Sequence, residues 1–302
     1  MPDPLNPLKR VVAQFFPSGP SNITSISSEI SANVPPQNTK DATVINTQHI
    51  FPLAESKTCE ARCNIHPAYP STIAQKIDRT LPLWGSVKAY EKHVLIATEG
   101  KSDWPYCLED EHNTLGKYLW EKMGKKGKQP INLTNICMHS KNRGTDLLVL
   151  PDFDYISGVT RLDASIIVES LISDKWDKGL NIRKAKYKAV VLICSHKKRD
   201  RRCGIAGPIL QQEFRKYLRE KNLLRNWDED ETDSVGVFLC SHIGGHKFAG
   251  NVVIYRRNEG ECIWLGRVEP CHVPHIVSET IEHGKVWPEL LRGGFKGNET
   301  SW

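Results

Sequence analysis

Short apolar runs recur along the chain, bounded by polar or turn-forming residues, and most have strand length. Runs at 93–98, 133–138 and 146–150 predict buried strands in the first half. Runs at 188–194, 235–240, 251–255 and 262–268 predict strands in the second. Between them lie stretches with helical periodicity. Residues 110–122 form one, and 164–175 another, with Ile166, Ile167, Leu171 and Ile172 on one face. A third helix is expected to open at Gly207-Pro208 and to run through Leu218. Strands alternating with helices define an α/β fold. The order repeats: Val94-Leu95-Ile96 resembles Val191-Leu192-Ile193, and 136–140 resembles 238–242. The expected organisation is a disordered tail over 1–48, an α/β unit over 49–160, and a second, related α/β unit over 161–302 with a C-terminal tail. The tail assignment rests on its Ser, Pro, Asn and Thr content, which buries too little to offset ordering entropy.

Charge excludes some partners. The net charge of +6 comes from 41 basic residues interleaved with 35 acidic ones. Nucleic-acid binding needs positive charge gathered on one face, so no such partner is expected. No apolar run is long enough to cross a bilayer, so no membrane partner is expected either. The apolar stretch 11–16 has the wrong length and flanks for a secretory signal. The expected compartment is therefore cytoplasmic, with a mitochondrial presequence as the competing reading of the tail. The 9 cysteines then sit where thiols stay reduced, available for metal or redox chemistry. By the same argument the Asn-x-Ser/Thr sites at Asn22, Asn132 and Asn298 lose meaning.

Two strand ends carry the candidate chemistry. Cys194 closes an apolar strand and is followed by Ser195-His196-Lys197-Lys198-Arg199-Asp200-Arg201-Arg202-Cys203. The cations on this stretch favour thiolate over thiol. After the next strand comes His242-Ile243-Gly244-Gly245-His246, where the glycine pair opposes a continuous helix and lets the backbone curl both imidazoles inward. On spacing alone, a zinc site and a set of unrelated loop residues are equally consistent with this pattern.

The stretch Cys-Ser-His-x-x-Arg-Asp-x-Arg-Cys-Gly at 194–204, with His-x-Gly-Gly-His-Lys-Phe-Ala-x-Asn-Val at 242–252, resembles the sucrase/ferredoxin-like family. Residues 263–268 with Pro270, 273–274, and Gly100-Lys101-Ser102-Asp103-Trp104-Pro105 extend the similarity. The resemblance implies a thioredoxin-like ferredoxin domain on the C-terminal side. It also implies a 2Fe-2S cluster as cofactor, held by Cys194, Cys203, His242 and His246. The cysteines are assigned to one iron and the histidines to the other. Histidine ligation implies a raised, pH-dependent reduction potential.

The expected function is an electron carrier or redox regulator that works with a redox partner protein; no hydrolase or transferase site is found. A thiol-disulfide oxidoreductase using Cys59 and Cys63 is one alternative, and a zinc-stabilised interaction protein is another. The cations of 197–202 are candidates for docking an acidic partner. The terminal Trp302 is similar to a tail read by the cytosolic iron–sulfur assembly machinery. Cys107, Cys137, Cys240, Cys262 and Cys271 are read as structural, and Asp228-Glu229-Asp230-Glu231 as a solvated loop. Glu99-Gly100-Lys101-Ser102 lacks the earlier glycine of a phosphate loop, since position 95 is Leu95.

Overall fold

A computed structural model describes residues 50–55, 63–124, 131–141, 143–224 and 233–302. The tail assigned to 1–48, Cys59 and the acidic run Asp228–Glu231 lie outside them. In chain order the elements of the first half are α1 (Ser71–Ala74), β1 (Lys92–Ala97), α2 (Leu115–Lys122), β2 (Ile131–Ile136), β3 (Thr145–Leu150), β4 (Asp154–Val159), α3 (Ala164–Ser173) and β5 (Asn181–Lys184). Those of the second are β6 (Tyr187–Cys194), α4 (Arg201–Glu220), β7 (Ser234–Cys240), β8 (Val252–Arg256), β9 (Glu261–Leu265), α5 (Val273–His275), β10 (Leu291–Lys296) and β11 (Glu299–Ser301).

The halves are wound alike. β1 pairs parallel with β2 and antiparallel with β3, which pairs antiparallel with β4. β6, β7, β8 and β9 repeat those pairings in the same order. Each parallel pair needs a crossover, and α2 and α4 supply it. The halves meet through β2 and β7, paired at Ile136 and Cys240. Those are the strands whose ends resemble each other in sequence. The result is one 11-stranded sheet of order β11-β10-β9-β8-β6-β7-β2-β1-β3-β4-β5.

That sheet does not lie flat. β2, β7 and β6 intervene between β1 and β8. At a strand spacing of about 4.8 Å, a flat sheet would keep β1 and β8 roughly 19 Å apart. Yet His93 of β1 hydrogen-bonds the Tyr255 hydroxyl of β8 at 2.8 Å. The sheet therefore folds over, and the two halves face one another. Leu95, Leu148 and Tyr155 pack against Val190, Leu192, Val253, Tyr255 and Trp264 between them. The helices lie outside. α4 and Val273 of α5 bury apolar side chains on the second half. α3 buries Ala164, Ile167 and Leu171 with Val94, Ile96 and Leu147 on the first.

His93 joins the halves at their centre. It is wholly buried, and its other ring nitrogen meets the Thr134 hydroxyl at 2.7 Å. Burial lowers its pKa to about 3. Between about pH 6.5 and 3 the unfolded chain thus binds a proton that the native chain refuses. Stability from this site is complete above about 6.5 and falls as pH drops. The loss reaches ~2–3 kcal/mol by about pH 4.5. Urea midpoints at neutral and acid pH should show a shallower pH slope for His93→Gln than for wild type. Equal slopes would remove His93 from the acid response.

Candidate metal centre

Cys194 ends β6 and Cys203 lies in the first turn of α4; both are 1% exposed. The stretch between them is a tight turn followed by helix, where the sequence reading had one loop and a helix starting at 207. The helix starts earlier because Asp200 caps it, accepting from the Arg202 amide at 2.8 Å. Pro208 is accommodated inside the helix. Cys203 thus sits at a helix N-terminus, whose partial positive charge favours a thiolate or a bound anionic group.

Two glycines bring helix and strand end together. A Cβ at Gly204 would lie 2.6 Å from Lys197 Cβ, and one at Gly207 would lie 2.8 Å from the Cys194 carbonyl oxygen. The helix therefore rests directly on the turn. The Cys194 and Cys203 side chains are hydrogen-bonded to each other, and Cys194 also reaches His242. The Cys203 hydrogen bond, with His242 assisting, holds the Cys194 thiol well below its ordinary pKa despite burial. Its partner Cys203 is pushed up by the same bond and by burial.

Beyond β7 the chain curls through Gly244 and Gly245, with φ of 84° and 67°, values that disfavour other side chains. The curl brings the His242 and His246 rings to a centroid separation of 5.4 Å. Among the described residues, the buried Nδ1 of His242 has no hydrogen-bond partner. His246 is exposed. Desolvation lowers its pKa, opposed by Asp200. The structure thus gathers Cys194, Cys203, His242 and His246 at one end of β6 and β7.

Residues that sequence reasoning passed over hold this arrangement. His196 is buried; its Nδ1 accepts from the His242 amide at 3.1 Å, and its Nε2 donates to the Trp104 carbonyl at 3.3 Å. The Gly100–Pro105 segment of the first half therefore braces the turn of the second. Arg292, 1% exposed, lies beneath the histidine turn and donates to Asn251 Oδ1 at 2.9 Å and to the Gly244 carbonyl at 3.3 Å. Burial lowers its pKa to about 10, opposed by the negative charge of Cys194 and Cys203. A cation in a glycine-rich strand gave no sequence signal. Several loop cations proposed for docking are tethered. Lys198 donates to the Asp103 carbonyl at 2.8 Å, Arg199 stacks 4.2 Å over Tyr106, and Arg202 pairs with Asp200.

A second donor group was missed. Cys63, His66 and Cys271 place one ligand atom each within 4.8 Å of one another, the sole such trio among the described residues. Cys271, read as structural, belongs to it. The His66 backbone and ring, then Cys271, lower the Cys63 pKa to about 6. Of the other cysteines, Cys240 is buried with its pKa raised by desolvation, and Cys262 Sγ lies 3.2 Å from the Tyr90 hydroxyl.

The sucrase/ferredoxin-like family model matches residues 83–293. Actin patches distal protein 1 of Saccharomyces cerevisiae is 31% identical over 271 residues, covering 79% of this chain and 85% of that protein. Altered inheritance of mitochondria protein 32 of Clavispora lusitaniae is 44% identical over 261 residues, covering 75% and 88%. The protein of the same name from Meyerozyma guilliermondii is 42% identical over 267 residues, covering 78% and 90%. No solved structure matches the chain.

Proposed function

Because this chain belongs to the sucrase/ferredoxin-like family, we propose that it is a 2Fe-2S redox protein, an electron carrier or redox regulator, with Cys194, Cys203, His242 and His246 as ligands. The observation that carries the reading is the buried, unpartnered Nδ1 of His242 beside a buried, hydrogen-bonded cysteine pair. A buried polar atom without a partner is costly, and a metal would satisfy it.

When bound, the cluster supplies one-electron chemistry. The protein's own residues set its surroundings. Cys194 and Cys203 exclude water from the sulfur side, the α4 N-terminus and Arg292 offset negative charge, and His246 gives an exposed edge for electron and proton exchange. That edge, with the exposed Lys247, is where the unidentified redox partner would dock. We also propose recognition by the cytosolic iron–sulfur assembly machinery through Trp302, whose ring packs 5.6 Å from Tyr90 and 5.9 Å from Phe295. Among the described residues no helix is long and apolar enough to cross a membrane. The proposed compartment is the cytoplasm, with the mitochondrion as the alternative raised by the relatives' names.

Anaerobically purified protein should be coloured and should hold iron and acid-labile sulfide in equal amounts. Colourless protein carrying zinc on Cys194 and Cys203 would end this reading.

A further inference from the structure

Away from the proposed cluster site, the chain collects another set of soft donors. We propose that Cys63, His66 and Cys271 bind one zinc-class divalent cation, which clamps the Cys63–His66 segment onto the Pro270–His272 turn beside the helix that carries Cys203. The three ligand atoms already lie within 4.8 Å of one another. Two sulfurs and an imidazole are a donor set that zinc prefers, with metal–ligand distances of about 2.0–2.3 Å. All three residues are half-buried, so water can reach the site and complete a tetrahedron.

The hydrogen bonds around His66 fit this role. Its Nδ1 lies 3.1 Å from Cys63 Sγ, and its backbone amide donates to the same sulfur at 3.4 Å. Its Nε2 lies 2.7 Å from the Tyr217 hydroxyl. With Nδ1 turned to the metal, Nε2–H donates to Tyr217, the outer bond that fixes ring orientation and tautomer in metal-bound histidines.

The elements joined are distant in sequence. Cys63 and His66 precede β1, Tyr217 lies on α4, and Cys271 lies in the 3-10 turn Pro270–His272 before α5. A cross-link closing so long a loop constrains the unfolded chain strongly. Just beyond His66, Tyr69, Ile73 and Ile77 are buried in one core with Cys203, Phe214 and Val273. The Tyr69 hydroxyl donates to the Val268 carbonyl at 2.7 Å. A metal at 63, 66 and 271 would hold this cover in place.

The test is metal content by mass spectrometry on the full chain after dialysis, in wild type and in Cys194→Ser, which removes the competing iron site. About one zinc per chain is expected in both. It should be lost from Cys63→Ser and Cys271→Ser while these keep the far-UV circular dichroism and any visible colour of wild type. Cobalt added to zinc-stripped wild type should produce thiolate-to-cobalt absorption bands that Cys271→Ser lacks. Proteolysis within 63–80 should quicken when zinc is removed. The proposal is overturned if zinc persists in Cys271→Ser. It is equally overturned if wild type takes up neither zinc nor cobalt, whether its two thiols are free or joined as a disulfide. Colourless wild type with zinc at this trio would sustain the clamp and end the cluster reading, so the two failures are separable.

Discussion

Cys194→Ala and Cys203→Ala should each abolish the visible chromophore expected of the proposed cluster, with iron and sulfide falling to background, while the chain keeps its secondary structure. Both side chains are 1% exposed and hydrogen-bonded to each other. Removing one would leave a single sulfur for the iron, and His196, which follows Cys194 in sequence, is held by the Trp104 carbonyl and the His242 amide. Stability should fall by only about 1–2 kcal/mol, because one small buried group is lost. Serine at either position is the sharper variant, since it keeps the volume and changes the donor. Retention of full iron and sulfide in Cys203→Ser would show that the cysteine pair is not the sulfur side of the site. Metal analysis and visible spectra after anaerobic purification check this.

How much of this arrangement was readable in the sequence depends on the length of the signal. β1, β6 and β7 were plain because they are buried on both faces and read as near-continuous apolar runs, such as Val190 to Ile193. β4 and β10 were not. β4 carries Asp154, which accepts from Trp176 Nε1 and pairs with Lys184, and β10 carries Arg292 with Gly293 and Gly294. Polar residues and glycines in a strand lower its apparent propensity, and here tertiary contacts decide. Gly294 is needed because a Cβ there would lie 2.4 Å from the Cys262 carbonyl. The helix start at 201 was hidden by Gly207-Pro208, a stronger start signal by eye than a single capping Asp200.

The four proposed ligands were legible through the resemblance of 194–204 and 242–252 to the family, spacing alone leaving a zinc site and unrelated loop residues equally open. Their supports were not, because Trp104, Arg292 and Asn251 approach from other parts of the chain. The second trio was invisible for the same reason. Cys63 and Cys271 come together only through the way the chain folds back over α4, whereas Cys59 and Cys63 are adjacent in sequence as a Cys-x3-Cys pair.

His246→Cys should keep the cluster yet lower its reduction potential, by on the order of 100 mV or more, and remove its pH dependence. A cysteine ligand adds negative charge where a neutral imidazole stood, and clusters with histidine on one iron lie well above all-cysteine ones. The imidazole also has a second nitrogen that titrates. His246 is exposed, so that nitrogen can exchange protons with solvent, whereas His242 is half-buried. Reduction adds an electron and raises the affinity of the ring for a proton. Wild type should therefore show a potential that falls by about 59 mV per pH unit where one proton accompanies one electron. The thiolate of the variant has no second titrating atom, so its potential should stay flat over the same range. His242→Cys should lower the potential as well. Arg292 beneath the turn is unaffected by either change, so its fixed charge cancels from the comparison. Potentiometric titrations followed by visible absorption between pH 6 and about 9 read both effects. A variant whose potential keeps the wild-type slope would remove His246 as the proton-coupled ligand.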